Sequence, residues 1–431
     1  MQSIPTYLSQ RIAGGVLPAD LPGQQHAWLV QKREAALLRF LNNGLPTAQD
    51  EDWRYTHLRA IEKETFHLAD QSTQTQTIEH MTQDFCGSAV FVDGILSKTL
   101  SKLDNLPAGL SVSCVREKLK GQQADDFFPA MIGADSWHDL NTALFDDGAV
   151  IDVAAGAVIE KPLEVICLST KQNNATAYHA KNSIHLGENA SLKIYKSKIS
   201  NASHVIFSTH MNHITLQKGA KLQRIVLSKH ADTTFTFVHD DVLIHEGAVF
   251  EKTAINLGGK IIRQKTTMNL AGENAYAGMN ILTHTAQDGT TDALVDMRHN
   301  APHTQSKQLI RSLAGGKARA VFQGKITVAQ IAQKTDAAQN HQGMLLSDTA
   351  EIDAKPTLEI YADDVKCSHG NTCGALDETA LFYLRSRGIP KEEAERLLQQ
   401  AFIAELFEPF EESLRDSLMQ RITDIIEKGA A

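Results

Sequence analysis

A recurring turn is the feature that most limits how this chain can fold. Gly156-Ala157, Gly187-Glu188-Asn189-Ala190, Gly219-Ala220, Gly247-Ala248 and Gly272-Glu273-Asn274-Ala275 each precede a short β-rich run. Their first glycines are 31, 32, 28 and 25 residues apart. A repeat of that length marks a stacked solenoid, in which each coil covers the open face of its neighbour. Runs such as Leu192–Tyr195, Thr234–Phe237 and Lys260–Ile262 alternate between two faces, and no long helices separate them. The pattern predicts a mainly β protein with a parallel β-helix core. On spacing alone, an ordinary sandwich with Gly-Ala turns is the alternative.

The flanks have a helical period. Ala27–Asn42 sets Leu29, Leu37, Leu38 and Leu41 among charged residues, and Asn43-Gly44 with Pro46 supplies the stop. Phe91-Val92-Asp93-Gly94 reads as a strand entering a turn. The chain therefore divides into an N-terminal helical region over 1–85, a β-helix core over 86–376 with a helical interlude near 115–145, and a C-terminal helical region over 377–431. In the last, Asp377 is a candidate N-cap, Leu381, Phe382 and Leu384 follow, and Gly388 stops the helix. Pro390 can open a second helix with Leu397, Leu398, Ala401 and Phe402 inward. After Pro409 a third carries Leu414, Leu418, Ile422, Ile425 and Ile426 on one stripe. Such stripes either pack within the chain or dock a partner.

Lys plus Arg number 42 and Asp plus Glu 51, a net charge of −9 that argues against a general nucleic-acid binder. No apolar run approaches the roughly 20 residues of a membrane-spanning helix, and the start, from Met1 through Arg11 to Asp20, has no secretory pattern. Five cysteines, at 86, 114, 167, 367 and 373, make no disulfide framework. A reducing cytoplasm is the expected compartment.

Standard catalytic motifs are missing. The Gly-Lys pairs at 259–260, 316–317 and 324–325 are followed by Ile261, Ala318 and Ile326, where a phosphate-binding loop needs Ser or Thr. There is no Cys-x-x-Cys, His-Glu-x-x-His or Gly-x-Ser-x-Gly. This chain is expected not to be an enzyme. Of its 18 histidines, His210 and His213 are an odd number apart and point to opposite faces of a strand, so they read as structural or solvated. His179, His185, His239, His245, His284 and His299 read the same way.

One cluster stands apart, Asp363-Asp364-Val365-Lys366-Cys367-Ser368-His369-Gly370-Asn371-Thr372-Cys373-Gly374. Cys367 and His369 share a face if the segment is extended. Both are iron ligands by type, and Lys366 is placed to lower the thiol pKa. Gly370 and Gly374 permit close backbone approach. A fourth ligand is lacking, so spacing alone leaves open an iron-ligand pair and a polar strand end.

That segment, with Phe322-Gln323-Gly324-Lys325-Ile326, Gln333-Lys334-Thr335-Asp336, Leu345-Leu346-Ser347 and Pro356-Thr357-Leu358-Glu359-Ile360, resembles the SufB/SufD family of iron–sulfur cluster assembly proteins. Phe382-Tyr383-Leu384-Arg385-Ser386-Arg387-Gly388-Ile389 matches its C-terminal helix signature, and Gly44-Leu45-Pro46 with Trp53-Arg54-Tyr55-Thr56 its N-terminal one. Cys367-Ser368-His369-Gly370 and the modest length are closer to the SufD branch than to the SufB branch. The resemblance implies a right-handed parallel β-helix between helical ends. It also implies a scaffold that pairs with SufB along the β-helix and docks the ATPase SufC through C-terminal helices bearing Leu381, Phe382, Arg385, Arg387, Leu398, Phe402, Leu414, Leu418 and Ile422. A transient iron–sulfur cluster would form at the SufB interface with His369 first and Cys367 second as contributing residues. SufB would supply further thiolates, and ATP would belong to SufC. The family's complex has been associated with reduced FAD, though no flavin-binding signature is found here. Cys373 departs from the family pattern and reads as a small buried side chain or as an additional ligand. Whether the chain pairs with itself as a homodimer in the absence of SufB is left open by the sequence. The rival class, a stand-alone β-helix enzyme acting on polysaccharide, would ordinarily carry a secretory signal and an aromatic or acidic groove, whereas aromatics make up 6% of this chain.

Overall fold

A computed structural model describes residues 17–69, 78, 80–82, 84–121, 128, 131, 134–200 and 203–429. It places the recurring turns in a column along one edge of a parallel β-solenoid. From Ala149 onward, successive strands go alternately to two facing sheets over about eight coils. The first sheet runs from Ala149–Val153 through Thr176–Leu186 and Ile206–Leu216 to Glu351–Ile360. The second runs from Leu163–Ser169 through Ser191–Ser200 and Lys221–His230 to Lys366–Ala375. Residues 1–16, which include the start read as non-secretory, lie outside the described residues, as do 70–77 of the N-terminal region.

The turn column has a simple cause. Gly156, Asn189, Gly219, Gly247, Asn274, His303 and Lys334 all have φ between 56° and 73°, one in each successive coil. Each donates its backbone N–H to a carbonyl of the next turn: Gly156 to Glu188 at 2.8 Å, Gly219 to Glu246 at 2.8 Å, and Lys334 to Asp364 at 2.7 Å. Only a left-handed residue aims its N–H along the stack. Glycine takes that conformation freely and asparagine at small cost, which is why the column is legible up to Asn274. His303 and Lys334 hold the same geometry without that signal.

Between the sheets, Ile184, Leu186, Ile214, Leu216, Val242 and Ile244 of the first meet Leu192, Ile194, Leu222 and Phe250 of the second in one dry core. Outside, both sheets are covered. Helix α1 (Ala27–Asn43), ended by Gly44 at φ 66°, and helix α2 (Ser136–Leu144) lie with Trp53 over Phe207, Met211, Phe235 and Phe237 of the first sheet. Asp135 caps α2 by accepting from the N–H groups of Trp137 and His138, and Trp137 stacks on Phe237 at 3.9 Å. The interlude thus packs with the N-terminal helix. Among the described residues, the remainder of the N-terminal region is less helical than expected, holding a 3-10 turn at Glu51–Trp53, a short helix at Arg59–Glu62 and the strand His67–Leu68.

The second sheet is covered by α4 (Lys391–Ala404) and α5 (Glu412–Gly429), with α3 (Glu378–Ser386) packed on α4. Leu418 and Ile422 are fully buried, with Leu414, Ile425 and Ile426 beside them, against Ile225, Leu227, Ile255, Leu257 and Leu282. The α5 stripe therefore packs within the chain. On α4 the inward residues are Ala394 and Ile403. Leu397 and Ala401 are exposed, while Leu398 and Phe402 are half-buried, which corrects the expected inward set. The helix meets the body along a narrow line that continues into Leu406 and Phe407, so its broader apolar face stays partly in solvent. Arg311, buried in the second sheet, pairs with Glu405 and ties this region down.

The two ends of the solenoid differ. At the N-terminal end antiparallel strands close both sheets: Leu110–Cys114 on Ala149–Val153, and Ile95–Leu96 on Gly87–Val92. At the C-terminal end Glu351–Ile360 and Lys366–Ala375 each have a neighbour on one side only.

Candidate functional site

Unpaired strand edges offer backbone donors and acceptors to another chain, and proteins ordinarily cover them. Here both sheets leave an edge open at the same end, and the cluster singled out in the sequence forms one of them. Lys366–Ala375 pairs in parallel with Asp336–Leu345, setting Cys367 beside Ala337, His369 beside Gln339, Asn371 beside His341 and Cys373 beside Gly343.

The direction of these side chains follows from their neighbours. Cys367 packs against the interior core. His341, fully buried, stacks on Phe322 of the opposite sheet with ring centroids 5.1 Å apart. Its Nδ1 donates to Asn371 Oδ1 at 2.8 Å. Alternation then puts Cys367, His369, Asn371 and Cys373 on the inward row. Lys366, Ser368, Gly370 and Thr372 face outward, and a Cβ on Gly370 would lie 3.3 Å from Asn340 Nδ2. The room that Gly370 provides is therefore not on the His369 side.

Beneath His369 lies an anomaly. Gln339 is 2% exposed, yet neither its Oε1 nor its Nε2 has a hydrogen-bond partner. It sits against Gly324 of the first sheet, where a Cβ would come within 2.3 Å of its Oε1. A buried amide left unpaired costs about 1–3 kcal/mol.

The thiols behave differently from expectation. Burial, with Asp336 nearby, pushes the Cys367 pKa up, and Lys366 on the opposite face does not offset it. The unliganded thiol is protonated at neutral pH. Cys373 is exposed, which corrects its reading as a small buried side chain. Partial burial of its Sγ, with Asp353, also raises its pKa. That Sγ lies 3.9 Å from Asn371 Oδ1. Among the described residues no group of three or more His, Cys, Asp or Glu is arranged to hold a metal ion. Cys367, His369 and Cys373 are therefore brought to one row of one strand but not into a complete ligand set.

Sequence reasoning missed Gln339, Asn371 and His341, because a Gln or Asn in a strand carries no motif; only the register reveals them. Around this end Ile331, Ile360 and Tyr361 are exposed at 69%, 40% and 63%. Of the expected docking residues, Leu381, Leu418 and Ile422 are buried, while Phe382, at 73% exposure, Arg385 and Arg387 are open to solvent. Arg387 lies over the Tyr383 ring at 5.3 Å.

The histidines read as structural are largely internal. His179 bonds Thr209 at 2.8 Å, His239 bonds Thr267 at 3.1 Å, and His299 bonds both Thr304 and Ser306. His210 and His213 are both buried, and burial keeps each neutral. No helix among the described residues is long and apolar enough to cross a membrane.

Comparison with known proteins matches this architecture along its length. The model of the SufBD protein N-terminal region matches residues 19–165, and that of the SUF system FeS cluster assembly SufBD core domain matches residues 167–402. The chain is 33% identical over 399 residues to the iron–sulfur cluster assembly protein SufD of Escherichia coli, covering 91% of this chain and 92% of that protein. A SufBD family iron–sulfur cluster assembly protein of Synechocystis is 27% identical, covering 90% and 89%. A chloroplastic protein of Arabidopsis thaliana is 25% identical, covering 91% and 85%.

Proposed function

The chain belongs to the SufBD family of SUF-system iron–sulfur cluster assembly proteins, and from that premise we propose that it is the SufD-type scaffold subunit of a cytoplasmic SufB–SufC–SufD complex. In this reading its open C-terminal end pairs with SufB, and a nascent cluster, the cargo of the assembly, is built across the junction. The C-terminal helices dock SufC, which alone hydrolyses ATP, and any reduced FAD belongs to the complex.

The observation that carries the reading is the inward row of the last strand. Cys367, His369 and Asn371 end a sheet whose edge is unpaired, above the orphaned amide of Gln339. The unpaired edge of this strand is where a partner strand could continue the sheet. An incomplete set of ligands is what a shared site requires of one subunit, since the partner supplies the rest. On the docking side, Phe382, Arg385 and Arg387 are the residues free to meet SufC, while Leu418 and Ile422 hold α5 in place. Membership in this family displaces the polysaccharide-enzyme reading.

The test is co-expression with SufB and SufC, followed by size-exclusion chromatography and iron and sulfide analysis. A 1:1 association with SufB that is lost when a position of Lys366–Ala375 whose N–H faces the open side carries a proline, for example Cys373→Pro, supports the pairing. Equal association of the proline variant, or a homodimer that persists beside SufB, contradicts it.

A further inference from the structure

The interior of the solenoid is not apolar throughout. Toward the edge opposite the turn column, over the coils from Ser191 to Leu270, the inward row is polar. Asn182 Nδ2 donates to Asn212 Oδ1 at 2.8 Å, and Asn212 Nδ2 donates to Asp240 Oδ1 at 2.5 Å. Asp240 is also reached by Lys252 Nζ at 2.5 Å and Arg224 at 3.4 Å. Burial alone would raise this carboxyl, but Lys252 and Arg224 hold it well below the usual range.

Four basic side chains, Lys196, Lys198, Arg224 and Lys252, are turned into this space, each 6% exposed or less, against the single carboxylate of Asp240. Lys196, Lys198 and Arg224 line one small cavity of about 20 Å³ with Asp240, Asn256 and Gln264. Two buried donors of its lining residues lack partners, the Lys198 Nζ and the Arg224 Nε. An unpaired buried cation is among the most expensive groups a protein can hold, and a cavity of this size admits one body a little larger than water. We propose that this cavity is a binding site for one small monovalent anion of halide size, held by Lys198 and Arg224 inside the solenoid. The site is independent of the cluster-assembly reading, since it lies in the middle coils and uses none of the residues of the open end. Burial and neighbouring Lys196 bring the Lys198 pKa down to about 7, which fits an ammonium that needs a counter-charge to persist at neutral pH.

The probe is bromide with the full chain. In crystals grown with sodium bromide, anomalous difference density is expected in the cavity lined by Lys198 and Arg224. In solution at constant ionic strength, with gluconate as the bulky replacement, Tm should rise by roughly 1–2 °C for each tenfold increase in free bromide above Kd. Lys198→Met should abolish that rise and, having no unpaired charge to bury, should melt in gluconate at or above the wild-type temperature. A wild-type cavity that is empty or holds only water overturns the proposal whatever the variant does. A bromide response of equal size in wild type and Lys198→Met overturns it as well.

Discussion

Asn371 accepts the Nδ1 proton of His341 at 2.8 Å, joining the last two strands of the second sheet from inside the solenoid. Ser312 lies 3.0 Å from the other ring nitrogen, so the neutral tautomer with its proton on Nδ1 satisfies both partners. Burial, with Arg311 nearby, keeps this imidazole below its ordinary range. Asn371→Ala leaves a buried donor unpaired at the open end, a loss of roughly 1 kcal/mol. Hydrogen exchange should quicken for the amides of 366–375 and stay unchanged in the middle coils.

Thr56 anchors the N-terminal region by donating its hydroxyl to Asp292 at 2.7 Å, 236 residues away. The same carboxylate holds Arg263, whose guanidinium lies 4.0 Å over the Trp53 ring, and accepts from Gln323 Nε2 at 3.2 Å. Thr56→Val should lower stability by about 1–2 kcal/mol. Asp292→Ala strands a buried arginine and should cost about 3–5 kcal/mol. Denaturant unfolding of both variants checks the order.

Acid should unfold this protein early. Burial depresses the pKa of His239 to about 3 and of His284 and His299 to about 4, all three being at most 8% exposed. Each folded value lies below the unfolded value of about 6.5, so the unfolded state binds protons first. The stability is fully present above the unfolded value and is lost as pH falls below it. At pH 5 each such histidine costs up to about 2 kcal/mol. Melting temperature measured from pH 8 to pH 5 should fall steeply below about 6.5, and His299→Gln should flatten the slope.

Substitutions can separate the packing of the C-terminal helices from the docking of SufC proposed for them. Deleting 377–431 would expose Ile225, Leu227, Ile255, Leu257 and Leu282, so the truncated chain should aggregate rather than remain a free solenoid. Leu418→Ala should cost about 2–5 kcal/mol. Phe382→Ala with Arg387→Ala should leave Tm within a degree or so and weaken SufC pull-down at least tenfold. Undiminished pull-down would place the docking surface elsewhere.

Much of the solenoid was legible because its turns need a left-handed residue at a fixed place, and Gly219, Gly247, Asn189 and Asn274 fill it. The signal fades at His303 and Lys334, where the stack imposes the same backbone on residues that do not favour it. Cys367 and His369 were found from type and spacing. Gln339 and Asn371 were not, since their meaning lies in register and burial. Lys366 misled for a related reason: sequence adjacency suggested an effect on Cys367 that alternation on a strand forbids. Trp53 and Thr56 stood out as a signature, but only the folded chain shows that they clamp Arg263 and Asp292.

The central claim is that the inward row at the open end serves a cluster shared with SufB, and His369 tests it most directly. His369 is exposed at the edge, so His369→Ala removes a polar group and no core volume. The measurement is iron and acid-labile sulfide per complex after reconstitution of the co-purified SufB–SufC assembly, wild type against His369→Ala, with the eluted stoichiometry checked for both. The account predicts unchanged stoichiometry and melting temperature with cluster content reduced at least severalfold, and a milder loss for Cys367→Ala. A His369→Ala complex that assembles normally and builds clusters at the wild-type rate and yield would contradict it.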